Sequence, residues 1–340
     1  MARIVVLHNT DFEAGAIDAS SVADAAKAVA GALREHGHAV EITGLHGTEI
    51  LDLVPRLQAD LVFNLCESMN NDARNEPTVA GLFDLFGIRY TGADQLALVS
   101  CLHKQRAKEI LIGRGVATPP YRYLASEADL ADVDGLDYPW FVKLAHEDAS
   151  VGITEANRVT SAAELRARTR ELLAQYRQPV LAERYVEGRE VNATLIGNGA
   201  DLTVLPLHEI DFAAMPGDRP KIVSYAAKWD EHHVDYAGTK PVPLRNASPA
   251  LITSVERVAR ASWDALGMRD YGRIDLRVDA ASTAWVIDIN PNPDISPDAG
   301  VARAAQLAGM SYPQLIARIA DVACRRIDRR GQRSTAPAAQ

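Results

Sequence analysis

Cysteine is scarce and scattered in this 340-residue chain: Cys66, Cys101 and Cys324 stand far apart, odd in number and with no CxxC pair. That argues against a disulfide framework or a zinc site and makes a reducing cytoplasm the expected compartment. Long apolar runs are missing too. No stretch approaches the ~20 residues a membrane span requires. The start, Met1-Ala2-Arg3-Ile4-Val5-Val6-Leu7, has no signal-peptide cleavage pattern and reads as a strand. Positive charge is in short supply: 36 Lys and Arg against 45 Asp and Glu leave a net charge of -9. A nucleic-acid backbone is therefore not expected as principal partner, although a local basic pocket for a phosphorylated molecule stays open. Internal repeats and low-complexity blocks are lacking. What remains, 47% hydrophobic and 24% charged, is a globular composition with length for two or three domains.

The first third alternates strand and helix. Residues 4–7, 39–42 and 61–64 read as strands. A helix from Ser20 or Ser21 to about His36 puts Val22, Ala26, Val29, Ala30 and Leu33 on one face, and Gly37 ends it. Helices are also predicted over residues 50–57 and 75–86. This α/β alternation predicts a parallel sheet with helices on both faces. Ligands on such sheets bind beyond the carboxyl ends of the strands, here residues 8–13 and 64–71, which otherwise are ordinary connecting loops. Further on, residues 101–114 read as one helix with a basic stripe of Lys104, Lys108 and Arg114. A strand over 140–144 leads into a small-residue loop, 146–153, whose amides can cover a phosphate. Residues 162–176 form a helix with the capping pattern Ser161-x-x-Glu164, followed by strands over 180–183 and 190–196.

Two later stretches carry the chemistry. In Gly272-Arg273-Ile274-Asp275-Leu276-Arg277-Val278, the apolar Ile274, Leu276 and Val278 share one face, and Arg273, Asp275 and Arg277 the other. In Trp285-Val286-Ile287-Asp288-Ile289-Asn290-Pro291, strict alternation puts Val286 with Asp288 and Asn290. The turn formers between them, residues 279–283, predict a hairpin. It gathers Asp275, Asp288 and Asn290 beside Arg273. Two carboxylates and an amide oxygen are hard ligands suited to Mg²⁺ or Mn²⁺. The other reading is an antiparallel pair with solvated acids.

Arg-x-Asp, a short hairpin and Asp-x-Asn-Pro resemble the metal-binding end of the ATP-grasp superfamily, in its D-alanine–D-alanine ligase branch. The likeness runs over about residues 3 to 325 and supplies the family's positions in order: Lys104, Lys143, Glu183, Glu190, Lys228, Arg273, Asp275, Asp288 and Asn290. It implies a three-part ATP-grasp fold, α/β with α+β elements in the ATP-grasp part. The parts would be an N-terminal parallel-sheet domain (1–102), a lid domain (103–182) and a C-terminal domain with the metal hairpin (183–328), before a disordered tail (329–340). It implies that Lys104 and Lys143 neutralise α/β phosphates, and that Lys228 in a mobile loop reaches the γ-phosphate. Glu183, Arg184, Tyr185 and Val186 would form the adenine hinge, with Glu190 on the ribose hydroxyls. Ser150 would serve in the phosphate-covering loop. Asp275, Asp288 and Asn290 would hold two Mg²⁺ ions, and Arg273 would lie at the reacting acyl phosphate.

The substrate end departs from the family. The Ser and Tyr that help anchor the first amino acid become Ala149 and Trp229, and the serine of the second carboxylate becomes Ala299. Glu13 is the candidate for the anchoring Glu, and His-Gly becomes Glu67-Ser68. The Pro-Gly-hydrophobic segment becomes Pro293-Asp294-Ile295. A polar partner left unsatisfied costs roughly 1–3 kcal/mol, so these changes select against D-alanine. Trp229 adds an aromatic wall, and Glu67, Asp294 and the loop acids Glu147 and Asp148 add negative charge, which predicts a larger, cationic substrate or, on the other reading, acids that simply face water. His233 in the loop after Lys228 is a candidate acid or base or simply a lid residue. The expectation is an ATP-dependent ligase that joins a small-molecule carboxylate to an amine through an acyl phosphate, working as a homodimer. The alternatives are a cyclo-ligase, a D-alanine–D-alanine ligase, or a nucleotide-binding sensor without turnover.

Overall fold

The computed structural model describes residues 1–10, 18–147, 149–217 and 219–326, the first helix by its backbone alone over 18–21. The candidate Glu13 and the tail from 329 lie outside the described residues. Strands β1 (Arg3–Asn9), β2 (Ala39–Leu45) and β3 (Leu61–Leu65) form the expected parallel sheet, in the order β2-β1-β3. Alternation along β1 decides what covers it. Ile4 and Val6 pack on α1 (Asp18–Glu35) through Ala26, Val29, Ala30 and Leu33. Val5 and Leu7 face the other way, toward Ile50 of α2 (Ile50–Leu53) and Val79, Ala80 and Phe83 of α3 (Glu76–Phe86).

The helix expected over residues 101–114 is two helices, α4 (Gln95–Leu102) and α5 (Lys104–Gly113). The break is at His103, whose ψ of 86° leaves the helical region. It frees the Lys104 amide to donate to the Ala145 carbonyl at 3.1 Å, fixing α5 to the end of a lid strand. The lid sheet holds β4 (Tyr121–Leu124), β5 (Trp140–Leu144), β6 (Arg158–Val159) and β7 (Val180–Arg184), antiparallel in the order β4-β7-β5-β6. Trp140, Val142 and Leu144 pack with Leu165 and Leu172 of α6 (Ala162–Tyr176), so Phe141 and Lys143 must face away from that core.

The third sheet runs β11-β10-β8-β12-β13, with β9 beside β8. Its strands are β8 (Arg189–Ile196), β9 (Thr203–Val204), β10 (His208–Asp211), β11 (Lys240–Pro243), β12 (Tyr271–Val278) and β13 (Ala284–Asn290). Between β10 and β11, where the sequence suggested a plain loop, stand two short helices, α7 (Tyr225–Trp229) and α8 (Val234–Gly238). Helix α9 (Pro249–Leu266) covers one face of the sheet with Leu251, Val255, Val258 and Trp263 against Ile274, Leu276, Val286 and Ile289. The opposite face, with Glu190, Asn192, Thr194, Arg273, Asp275 and Arg277, is left to line a cavity. After α10 (Gly300–Leu307), α11 (Tyr312–Arg325) returns to the first sheet. Its Leu315, Ile316 and Ile319 share one core with Ile4, Val6 and Leu33.

A buried carboxylate fastens these parts. Asp270 is fully buried and accepts from the Gly92 amide (3.0 Å), the Asn198 amide nitrogen (2.9 Å) and the Arg326 guanidinium. Arg326 also donates to the Tyr90 carbonyl at 2.9 Å. Removing one partner of a buried ion pair strands the other and costs about 3–5 kcal/mol. Asp270→Ala is therefore expected to lower the urea midpoint by a large fraction of the total stability. A midpoint within experimental error of the parent would remove Asp270 from this role.

Candidate active site

A cavity of about 590 Å³ opens between the lid sheet and the third sheet. Lys104, Lys143, Ser150, Glu183, Arg184, Tyr185, Val186, Glu190, Lys228, Arg273, Asp275, Asp288 and Asn290 all line it. The structure thus brings together, from both sheets, every residue expected at the nucleotide and the metal.

Its back wall is a chain of buried charges. Lys104 Nζ donates to Asp288 Oδ1 at 2.9 Å. Lys143 Nζ donates to the Ile287 carbonyl at 2.7 Å and pairs with Glu183 Oε1 at 2.9 Å. Lys108 Nζ pairs with Glu183 Oε2 at 2.6 Å and donates to Thr118 Oγ1 at 2.6 Å. Thr118 donates in turn to the Val286 carbonyl at 2.8 Å. Burial pushes the Asp288 carboxyl up, but Lys104 and Lys143 more than reverse this and hold it down at about 2. Burial opposes ionisation of Glu183 as well, and Lys108 and then Lys143 overcome it, leaving the carboxyl below its usual value. Lys108, buried beside them, is brought down to about 8 chiefly by desolvation. Sequence reading saw Lys108 only as part of a basic stripe. The signal that could have found it is its spacing of four from Lys104, which stacks both on one helix face. Glu183 was expected to serve the adenine hinge. That role belongs to the backbone of the segment; the Glu183 carboxylate is turned onto two lysines.

The hinge is held by Arg277, which sequence reading placed on the polar face but assigned no task. Arg277 Nε donates to the Val186 carbonyl (3.0 Å), Nη1 to Glu190 (3.0 Å) and the Lys221 carbonyl (3.0 Å), and Nη2 to the Tyr185 hydroxyl (2.7 Å). The Tyr185 hydroxyl donates onward to the Lys221 carbonyl at 2.9 Å. Burial raises the Glu190 carboxyl despite Arg277 beside it.

At the metal end, Asp275 stands opposite Asp288, and Arg273 opposite Asn290. The register slips between Asp275 and Leu276, so that Ile287 is the extra residue of a β-bulge. This corrects the face assignment: Val286 stays in the core, opposite Leu276, while Asp288 and Asn290 share the face of Asp275. Asp275 accepts from Arg273 Nε (2.7 Å) and Nη2 (2.9 Å), from Asn192 Nδ2 (2.7 Å) and from Asn290 Nδ2 (3.1 Å). Asn290 therefore binds Asp275 through its nitrogen and keeps its carbonyl oxygen for another partner. Two carboxylates and this amide oxygen fit a hard divalent cation. Among the described residues no group of three or more His, Cys, Asp or Glu competes with them for a metal.

The cover of the cavity is closed by contacts between its two loops. Trp229 Nε1 donates to the Ala149 carbonyl at 3.3 Å, Ser150 Oγ to the Val223 carbonyl at 3.1 Å, and the Tyr225 amide to the Ile153 carbonyl at 2.9 Å. The remaining substrate candidates stand outside the cavity wall. Glu67 is exposed, with its amide on Asn9 Oδ1 at 3.1 Å. His233 caps α8, its Nδ1 accepting from the Asp235 amide at 3.1 Å. Asp294 turns back on its own loop, accepting from the Ser296 amide (2.8 Å) and hydroxyl (2.7 Å). Both are short-range caps of the kind these residue types make. Of the acids expected around the substrate, Glu147 lines the cavity, Glu67 and Asp294 do not, and Asp148 lies outside the described residues. Arg303, Arg273 and His208 line the cavity as well.

Residues 112–321 match the family model for the D-Ala D-Ala ligase C-terminus. The chain belongs to the D-alanine–D-alanine ligase family. It is thus an ATP-dependent ligase that forms C–N bonds, in a family that works with a divalent metal. It is 32% identical over 250 residues to the D-alanine–D-alanine ligase of Bordetella pertussis, covering 73% of this chain and 74% of that one. Over 266 residues it is 31% identical to the uncharacterized protein y4sG of Sinorhizobium fredii, covering 78% and 75%. The fold superposes on the D-alanine–D-alanine ligase of Bacillus anthracis complexed with ATP, with a TM-score of 0.76 at 19% identity over 96% of this chain and 98% of that one. The VanG D-Ala:D-Ser ligase of Enterococcus faecalis gives 0.72 at 18%, over 94% and 99%.

Within this ligase, Lys108 is expected to act on the nucleotide without touching it. With Lys108 gone, Glu183 would be balanced by Lys143 alone, whose charge is then drawn away from the cavity. Lys108→Met should weaken MgADP binding about tenfold, equivalent to about 1.4 kcal/mol, by isothermal titration calorimetry. Unchanged affinity in a folded variant would contradict this.

Proposed function

We propose that this ligase phosphorylates a substrate carboxylate with ATP and then joins the acyl phosphate to an amine, giving an amide, ADP and phosphate. The observation that carries the reading is the convergence of a net-positive lysine chain and the Asp275–Asp288–Asn290 set on one cavity. Phosphoryl transfer is largely positioning and charge stabilisation, which is what these groups supply. Lys104 and Lys143 would face the α/β oxygens, Lys228 the transferred phosphoryl group, and the Ser150 loop would cover it. The backbone of Arg184, Tyr185 and Val186 would read the adenine, and Glu190 the ribose. Arg273, held flat by both oxygens of Asp275, would stabilise the oxyanion formed as the amine attacks. Two Mg²⁺ ions, or Mn²⁺, would sit on Asp275, Asp288 and Asn290, where they neutralise phosphate oxygens.

The substrate is proposed to be an amino acid or amino-acid-like molecule other than D-alanine. Ala149 and Ala299 remove two hydroxyls at the substrate end, and Trp229 fills the place of a third. We also infer a cytoplasmic homodimer. Leu85, Phe86, Leu96 and Val99 leave an exposed apolar surface on α3 and α4, consistent with a second copy there. Among the described residues no helix is long and apolar enough to cross a membrane. The three-part division at residues 102 and 182 is kept as a proposal, supported by the separate core of the lid sheet.

Asp288→Ala should cut ADP release by about 10³-fold, a loss of the size that removal of one charge-stabilising group produces. Thermal unfolding should show a folded protein. Near-parental turnover would take Asp288 out of the metal site. D-alanine alone should rank low in kcat/KM within a panel of larger amino acids; if it ranked first, the substitutions at 149, 229 and 299 would have been misread.

A further inference from the structure

Among the described residues that line the cavity, His208 of β10 is a buried titratable group to which the nucleotide and metal roles give no task; it is 6% exposed. The strand register places it. His208 stands opposite Asn192 of β8, Asn192 opposite Asp275 of β12, and Asp275 opposite Asp288 of β13. Residues directly opposite on antiparallel strands share a face, so these four form one row across the sheet, and all four line the cavity. Neighbouring strands lie about 4.8 Å apart. Two such steps put His208 roughly 10 Å from Asp275, with Asn192 between them.

Both members of the row beyond Asp275 offer acceptors. Asn192 donates from Nδ2 to Asp275 Oδ1 at 2.7 Å, so its carbonyl oxygen is turned away from that carboxylate. The His208 imidazole is driven toward the neutral form, first by burial and then by Arg303 of α10, while a hydrogen bond to the Pro206 carbonyl works the other way. A neutral imidazole that donates from one ring nitrogen keeps a lone pair on the other. The adjoining strands bring Asn192, Thr194 and Pro243 to this place, with Lys240 three residues along β11. Glu209, next to His208 in sequence, alternates to the other face and pairs with Arg189. A protonated amine is all donor, and two uncharged acceptors on adjacent strands match it.

We propose that the attacking amine sits over this row and that His208 is its general base. The inference rests on the ligase reading above and adds a catalytic residue to it. An amine that arrives as an ammonium ion has no lone pair to attack with. Asn192 would hold it, and His208 would take one of its protons. The freed pair then forms the C–N bond at the acyl phosphate carbon, while the C=O pair moves onto the oxygen beside Arg273. When that pair returns, the C–O bond to phosphate breaks. Phosphate leaves with the bonding electrons and takes the second proton from nitrogen. His208 returns to the neutral form by giving its proton to water. Sequence reading looked for an acid or base at His233, which caps α8; His208 lies in the strand before that loop.

The test compares two acceptors in the unaltered protein and in His208→Gln, with each amino acid of the panel in turn as the carboxylate. Hydroxylamine is a free base at neutral pH and gives a hydroxamate. The amino acid itself arrives protonated and gives the amide. In His208→Gln, amide formation is expected to fall about 100-fold, the lower end of what a general base contributes, with hydroxamate formation close to parental. MgADP titrated into the variant reports its folding. Equal losses with both acceptors, or no loss of amide, would overturn the role. The pH profile is the second readout. A base that works only when neutral keeps amide formation level around neutrality and lets it fall below histidine's usual value of about 6.5, because burial and Arg303 lower His208. His208→Gln should replace that plateau with a rise of about tenfold per pH unit, as the free amine becomes available. The same steady rise in the unaltered protein would overturn the role, and it decides alone if His208→Gln does not fold. Hydroxamate and ADP formed without any dependence on His208 would leave the ligase reading in place and remove only the base. Absence of both products with every amino acid would remove the ligase reading, and the base with it.

Discussion

The buried chain Lys104–Asp288, Lys143–Glu183–Lys108 is what the rest of the molecule has to accommodate. Three ammonium groups meet two carboxylates away from bulk water, so no member can be left without its partner. The partners come from α5, from β5 and β7 of the lid sheet, and from β13 of the third sheet. The chain therefore forms only when both sheets and the helix between them are in register. The break at His103 starts α5 at Lys104, and the bulge at Ile287 offers a carbonyl to Lys143 while keeping Asp288 on the cavity face. These local irregularities are conditions for the charge chain. One surplus positive charge is left over, facing a cavity that in the proposed reading receives triphosphate.

The second half of the cavity is built on the same logic with arginine. Arg277 spends its donors on the hinge and Glu190, and Arg273 is held flat by Asp275. Arginine suits these positions because a rigid fork can satisfy several acceptors in one plane. Arg303 repeats the residue type with its Nη1 on the Asp298 carbonyl and its Nε buried without an acceptor among the described residues. The family relationship accounts for the shared scaffold, and the proposal of another substrate rests on Ala149, Trp229 and Ala299.

Much of this was legible in sequence. Period-two alternation placed Arg273, Asp275 and Arg277 on one face of β12 correctly, and the cavity lysines were found in order. Where reading failed, the cause was local and physical. A bulge adds one residue and flips every side chain beyond it, so strict alternation put Val286 on the wrong face. A helix pattern of 101–114 did not reveal the turn at His103, because apolar periodicity continues through it. The direction of the Glu183 carboxylate depends on Lys108, a contact between helix and strand that no local pattern encodes. His233, read as an acid or base or simply a lid residue, and Asp294, read as a substrate group, each accept from a nearby backbone amide, a local contact that the sequence pattern did not announce. That α11 packs on the first sheet was also invisible, since an amphipathic helix shows which face it buries and not against what.

The central claim is that a carboxylate is activated by phosphoryl transfer at the junction of the lysine chain and the Asp275–Asp288 pair. It is tested most directly by following oxygen. Amino-acid substrates labelled with ¹⁸O in the carboxylate, turned over with unlabelled ATP, should deliver one labelled oxygen to inorganic phosphate for each amide formed, with ADP as the nucleotide product. Phosphate free of label, or AMP and pyrophosphate in place of ADP and phosphate, would contradict the account.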